Sequence, residues 1–246
     1  MTISIVQTCN GSGLASTATF GAGVTLGNYL IIATGAYTTT ASPPVAASCP
    51  TVGGLTPAGN ADLIAQLGPS AADTVSCAYW LLPVTAAIAG QSAVQCSGSW
   101  TGAAGYTGVV GIETTGWAGV PALDRSVGNG GTTTAVNSGT TPAIQYAPEL
   151  VIGGSVGFGA VQPTPAPYTC IDATGGDGYY EVGYIIAGVS GGTYSWAGTE
   201  LSVNNWAAAV ATLGVVAAPP SGSTVPVAGG SSNHGRGYLK RRLLFE

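Results

Sequence analysis

At 246 residues, the chain is long enough to bury a core without disulfides or metals, as one large domain or two small ones. Only 6% of it is Asp, Glu, Lys or Arg, against ~25% in an ordinary globular protein. With 46% apolar residues and a mean hydropathy of +0.38, it is not a disordered chain, which would combine low hydrophobicity with high charge. A surface of Ser, Thr, Gly and Asn has little charge repulsion to keep free monomers apart, so the composition suits a protein packed among neighbours.

In chain order, the N-terminal MTISIVQTCNGSG lacks a basic segment followed by an apolar one, so it does not read as a signal peptide. The expectation is a protein made in a cytoplasm and not exported by the usual route. Forty glycines and fifteen prolines break every helical window up to residue 216. β-rich runs separated by turn residues are expected at 28–34 (NYLIIAT), 74–84 (TVSCAYWLLPV), 93–100 (AVQCSGSW) and 106–115 (YTGVVGIETT). Further runs fall at 149–155 (ELVIGGS), 181–189 (EVGYIIAGV), 193–196 and 205–216 (NWAAAVATLGVV). Only 60–67 (NADLIAQL) reads as a short helical turn, capped by Asn60 or Asp62. The apolar stretch 206–218 is too short for a membrane-spanning helix, which needs ~20 residues. No repeat of fixed period is visible. The pattern predicts an all-β protein, a sandwich or jelly roll over 1–216.

Charge divides the chain. Residues 1–230 hold nine acids and one base, Arg125, a formal −8; residues 231–246 hold four bases and one acid, a formal +3. Between them, 217–233 is a Pro/Gly/Ser linker with no apolar period. Beyond it, 234–246 (HGRGYLKRRLLFE) is too short to fold alone. It is expected to be a docking arm that lies on a neighbouring subunit through Arg236, Tyr238, Lys240, Arg241, Arg242, Leu243, Leu244 and Phe245.

Residues for catalysis are scarce. The single His234 lies in the arm, and no lysine precedes Lys240, so a Ser/His/Asp or Cys/His arrangement is not expected. No enzyme activity and no cofactor are expected. Cys9, Cys49, Cys77, Cys96 and Cys170 are odd in number, widely spaced and without a CxxC, which argues against zinc. Buried thiols are the default for all five, with Cys77 and Cys96 on neighbouring strands as an open alternative. Asp172 and Asp177, in IDATGGDG, are weak metal candidates, because calcium wants more oxygen ligands than two carboxylates; a Gly-rich turn is the simpler reading. Asp124 and Arg125 are expected to close a turn. Trp80, Trp100, Trp196 and Trp206 fall in or beside strands and are assigned to the core. Tyr37, Trp117, Tyr168 and Tyr179 lie near loops and are the candidates for glycan contact. The acidic body excludes nucleic acid as its partner.

The order of motifs resembles the jelly-roll minor structural proteins of tailed bacteriophages of actinobacteria. It is carried by GNYLIIATGAYT at 27–38, CAYWLLPVTAAIAG at 77–90, YTGVVGIETTGWAGVPALDRSVGNGGTT at 106–133, PAIQYAPELVIGGSVGFG at 142–159 and NNWAAAVATLGV at 204–215. The resemblance implies a jelly-roll sandwich, with the Trp117–Asp124 segment as a turn and the Trp-Ala-Ala block as the last strand; it brings no catalytic residues. It further implies a virion component made in the host cytoplasm, a minor tail (tail-tip) protein or a capsid decoration, partnered by virion proteins and by copies of itself. A glycan-binding module at the host surface is the alternative from another class. No membrane insertion is expected.

Overall fold

The computed structural model describes residues 2–13, 17–38, 45–46, 48–56, 62–67, 75–95, 100–101, 106–157, 161–162, 167–172, 180–200, 203 and 205–215. The linker and arm at 217–246, together with Cys96, Asp177 and Tyr179, lie outside the described residues, as does the side chain of Asp172.

The described residues form strands and no helix. The first half contributes β1 (Ser4–Gly13), β2 (Thr17–Thr19), β3 (Tyr29–Tyr37), β4 (Val45–Ala46), β5 (Thr51–Val52), β6 (Asp62–Leu67), β7 (Val75–Pro83), β8 (Ala93–Gln95), β9 (Trp100–Thr101) and β10 (Tyr106–Thr115). The second half contributes β11 (Pro121–Gly131), β12 (Ala135–Thr140), β13 (Glu149–Gly157), β14 (Val161–Gln162), β15 (Thr169–Asp172), β16 (Tyr180–Ala187), β17 (Ser195–Glu200) and β18 (Trp206–Val215). Two five-stranded antiparallel sheets result, β1-β10-β3-β7-β6 and β11-β18-β13-β16-β15. Each comes from one half of the chain. They share one core, in which Ile31, Tyr79, Val110 and Ile112 of the first sheet meet Leu150, Ile152, Tyr180 and Leu213 of the second. The protein is a β-sandwich.

The outer faces are covered too. Over the first sheet lies β2-β8-β5, enclosing Phe20, Leu30, Ile32, Val52, Trp80 and Val94. Over the second lies β12-β17-β14, enclosing Val136, Val151, Trp196, Trp206 and Val210. This layering explains the continuous apolar runs: β3, β7, β10, β13 and β18 are buried on both faces, so alternation disappears. Each large side chain so buried contributes roughly 1.5–3 kcal/mol.

The two halves repeat one topology. Numbered within its own half, each large sheet runs first, fifth, second, fourth, third; each small sheet is built from segments at the same points of the connection. The repeat extends to a bulge. In β1 the register slips between Ile5 and Gln7, and in β11 between Leu123 and Arg125. Gln7 then faces Glu113, which faces Leu30; Arg125 faces Thr212, which faces Val151. Val6 and Asp124 are the matching extra residues.

Several expectations are corrected. Asp62–Leu67 is a strand rather than a helical turn; it registers along β7 from Leu81 to Cys77, and an open sheet edge overrides a weak helical preference. Asp124 and Arg125 lie within β11, so of the segment read as a turn only 117–120 connects two strands, and Pro121 to Asp124 belongs to a strand with a bulge. The run at 93–100 holds two short strands, β8 and β9. Cys9, Cys49 and Cys77 are buried as expected, but Cys170 is exposed because β15 is the last strand of its sheet.

Candidate functional site

The three described glycan candidates, Trp117, Tyr37 and Tyr168, do not converge. Trp117 is half-buried; its indole Nε1 donates to Thr114 Oγ1 at 2.9 Å, and its ring meets Tyr29 edge-on at 6.5 Å. Tyr37 stacks on Tyr106, with ring centroids 5.3 Å apart, at the opposite end of β3 from Tyr29. A nine-residue strand separates those ends by roughly 27 Å at ~3.3 Å per residue. Tyr168 packs edge-on to Trp196 at 5.1 Å, under the outer small sheet of the second half. Three aromatics therefore serve three separate packing sites. Trp80, Trp196 and Trp206 are core residues, and Trp100 is half-buried.

What sequence reasoning missed is where the charges are. Of the nine acids before residue 231, Glu113, Glu149 and Glu200 are buried, and the side chain of Asp124 is 3% exposed. The only cationic side chain among the described residues, Arg125, is spent on Asp124, 3.4 Å away. The skin of the described body is thus poorer in ionised groups than even the composition suggests.

The buried carboxylates form two related nodes beside the bulges. In the first half, Glu113 accepts from Thr25 N at 2.7 Å, Asn28 Nδ2 at 2.6 Å and Gln7 Nε2 at 2.6 Å. Gln7 in turn ties down the 20–25 loop, donating to Ala22 O and accepting from Ala22 N. Burial pushes the Glu113 carboxyl up, but the Thr25 amide and the Gln7 and Asn28 side chains outweigh it and hold it below the ordinary carboxylate range.

In the second half the carboxylate comes from the other side. Glu149 stands two residues before Val151, as Asn28 stands two before Leu30, and accepts from Tyr146 N at 2.9 Å, three residues back, as Thr25 is from Asn28. Thr212 takes the register position of Glu113, and its Oγ1 accepts from Arg125 N at 3.1 Å. Next to it, Asp124 Oδ2 accepts from Gln145 N at 2.7 Å, so two carboxyls clip two consecutive amides of one loop. Burial raises the Glu149 carboxyl; the Tyr146 amide and Thr212 hydroxyl oppose this, and the neighbouring Asp124 adds to it. Glu200, at the end of β17, has neither oxygen hydrogen-bonded among the described residues, and burial pushes it up to about 7.

Chemically, Glu113, Asp124 and Glu149 hold loops. A substrate cannot reach a pair such as Asp124 and Glu149 without displacing the loop they clip. Among the described residues, no three His, Cys, Asp or Glu side chains come together to hold a metal ion, and no helix is long and apolar enough to cross a membrane. Comparison with protein-family models, curated proteins and solved structures returns no match.

Proposed function

We propose that the chain is a non-enzymatic structural component of a bacteriophage virion, a minor tail protein that assembles with copies of itself and with other virion proteins. The observation that carries this reading is the surface. Charged groups keep free monomers apart in solution, and here Glu113, Asp124, Glu149 and Glu200 are all turned inward. A body finished in neutral polar residues and glycine suits permanent packing against neighbours. The strand order of each half supports the finer reading of a jelly roll: first, last, second and fourth strands lie side by side in one sheet, and three of the intervening segments form the facing sheet, while the third strand, β6 or β15, extends the larger sheet at its edge. On this reading the molecule is two jelly rolls fused through their larger sheets. The charge-divided C-terminal segment supports an arm that reaches a partner.

Quantitative mass spectrometry of purified particles made from the same genome tests the proposal. A few copies per particle are expected. Copies in capsid-like multiples would move the protein to the capsid surface, and its absence from particles would overturn the virion reading.

A further inference from the structure

In the first large sheet Ser4 lies beside Thr115 and Tyr29 beside Pro83; in the second, Pro121 lies beside Val215 and Glu149 beside Ala187. The connection 116–120 joins these strand ends, while Tyr180 stands on Gly35 and Gly108 toward the opposite ones, so both sets form one end of the sandwich. Five stretches cover it: 20–28, 84–92, 116–120, 141–148 and 188–194. They contain no Asp, Glu, Lys, Arg or His. The acids that stand at this end, Glu113, Asp124 and Glu149, are turned inward, and Arg125 is paired with Asp124. The next acid along the strands, Asp62, pairs with Leu81, two residues in from Pro83. Apolar side chains take the place of charge. Of the seven exposed large ones among the described residues, Leu26, Val120 and Val189 lie in these loops, and Val6 and Leu123 stand third in β1 and β11.

The loops are also held in place. Val24 N donates to Gln91 O and Gly90 N to Val24 O, each at 2.8 Å; in the second half Ile144 N donates to Gly192 O and Gly191 N to Ile144 O, each at 2.9 Å. A surface fixed in advance loses little freedom on binding. Resting on the assembly reading above, we propose that this end of one copy meets the same end of a second copy. Residues 1–230 carry a formal −8, so two bodies repel where their acids face each other. Here the loops bring no charge, and their exposed apolar side chains supply the attraction. Five strands ~4.8 Å apart and four layers ~10 Å apart give an end face of roughly 24 Å by 30 Å, about 700 Å² per copy. A stable interface of ordinary size takes ~800 Å² from each partner. Because the same patch serves both copies, the contact is two-fold and closes at a pair.

Sedimentation velocity of the full-length protein is the test. The wild type should form a dimer that dissociates on dilution. Val120→Arg and Val189→Arg, at side chains 74% and 73% exposed, should each raise its dissociation constant at least tenfold without moving the urea midpoint. Val203→Arg, at a side chain 70% exposed and three residues before Trp206 at the opposite end, should leave the dimer unchanged. A dimer indifferent to both loop substitutions would overturn the end-to-end contact while leaving self-association standing. Open-ended oligomers that Val120→Arg disperses would mean that unlike patches meet, and would overturn the two-fold pair. A wild type that stays monomeric at every concentration removes the pair, whereas the virion reading falls only if the protein is missing from particles.

Discussion

The ring of Tyr180 stands on Gly35: a Cβ added at that glycine would lie 2.6 Å from the ring. Gly108, paired with Gly35 across β10 and β3, is equally close, at 2.5 Å. The second sheet thus seats the fully buried Tyr180 in a notch left by two side-chain-free residues of the first. By register, Cys77 holds in the first half the place that Tyr180 holds in the second, and Val156 holds the place of Gly35. Large and small have been exchanged between matching positions. Gly35→Ala is expected to destabilise the protein by about 1–3 kcal/mol through overpacking. Its cost should shrink by at least about 1 kcal/mol in a Tyr180→Leu background, where the ring is gone. Urea unfolding of the four proteins measures this; additive effects would refute the contact.

Tyr79 couples the sheets in the other direction. Its hydroxyl donates to Ala209 O at 2.8 Å across the core, and its oxygen would lie 3.0 Å from a Cβ added at Gly154. Burial holds the phenol well above its usual range, so it remains a donor. Tyr79→Phe removes one buried donor without changing the ring and should cost about 1 kcal/mol. A loss within error of zero would mean that the hydrogen bond adds nothing beyond ring packing.

The inner strands were legible because both of their faces are dry: 106–115 is the same as β10, and 28–34, 74–84 and 149–155 lie within a few residues of β3, β7 and β13. The first strands of the two sheets were not. β11 is exposed or half-exposed at nearly every position and is written PALDRSVGNGG, so it has neither an apolar run nor a clean alternation to betray it. β1 is an edge strand of the same kind. The repeat stayed hidden for a related reason. What the halves share is connectivity, a bulge and an oxygen atom in one place, and that oxygen comes from Glu113 in one half and Glu149 in the other. Residue identity is not the conserved quantity. Nor could composition reveal that Glu113, Asp124, Glu149 and Glu200 point inward.

The two nodes should respond oppositely to removal of a charge. Glu113 is surrounded by donors, and its folded carboxyl titrates below the unfolded one. Its contribution is therefore present above the unfolded value and lost as pH falls through the folded value. Glu113→Gln should cost about 2 kcal/mol at pH 7, since charge-assisted bonds are replaced by weaker ones and one new amide lacks an acceptor. Glu149 is raised and neighbours Asp124. Glu149→Gln keeps an oxygen for the Tyr146 amide and offers a donor toward Asp124, so it should leave stability at pH 7 unchanged or raise it by about 1 kcal/mol. Equal losses in both variants would contradict this account of the nodes.

Glu200 sets the pH dependence most sharply. Burial raises it from 4.5 to about 7, so the folded state holds its proton where the unfolded state has released it. Below pH 4.5 both states are protonated and the group is neutral in its effect. From there to about pH 7 stability falls, and above pH 7 the loss is complete. A shift of this size corresponds to about 3 kcal/mol at ~1.4 kcal/mol per pH unit. Glu200→Gln has nearly the shape of the protonated acid and nothing to ionise. It should match the wild type at pH 4.5 and exceed it by up to about 3 kcal/mol at pH 8. Chemical denaturation at the two pH values decides the matter: curves that stay parallel would mean that Glu200 is ionised and satisfied in the folded protein.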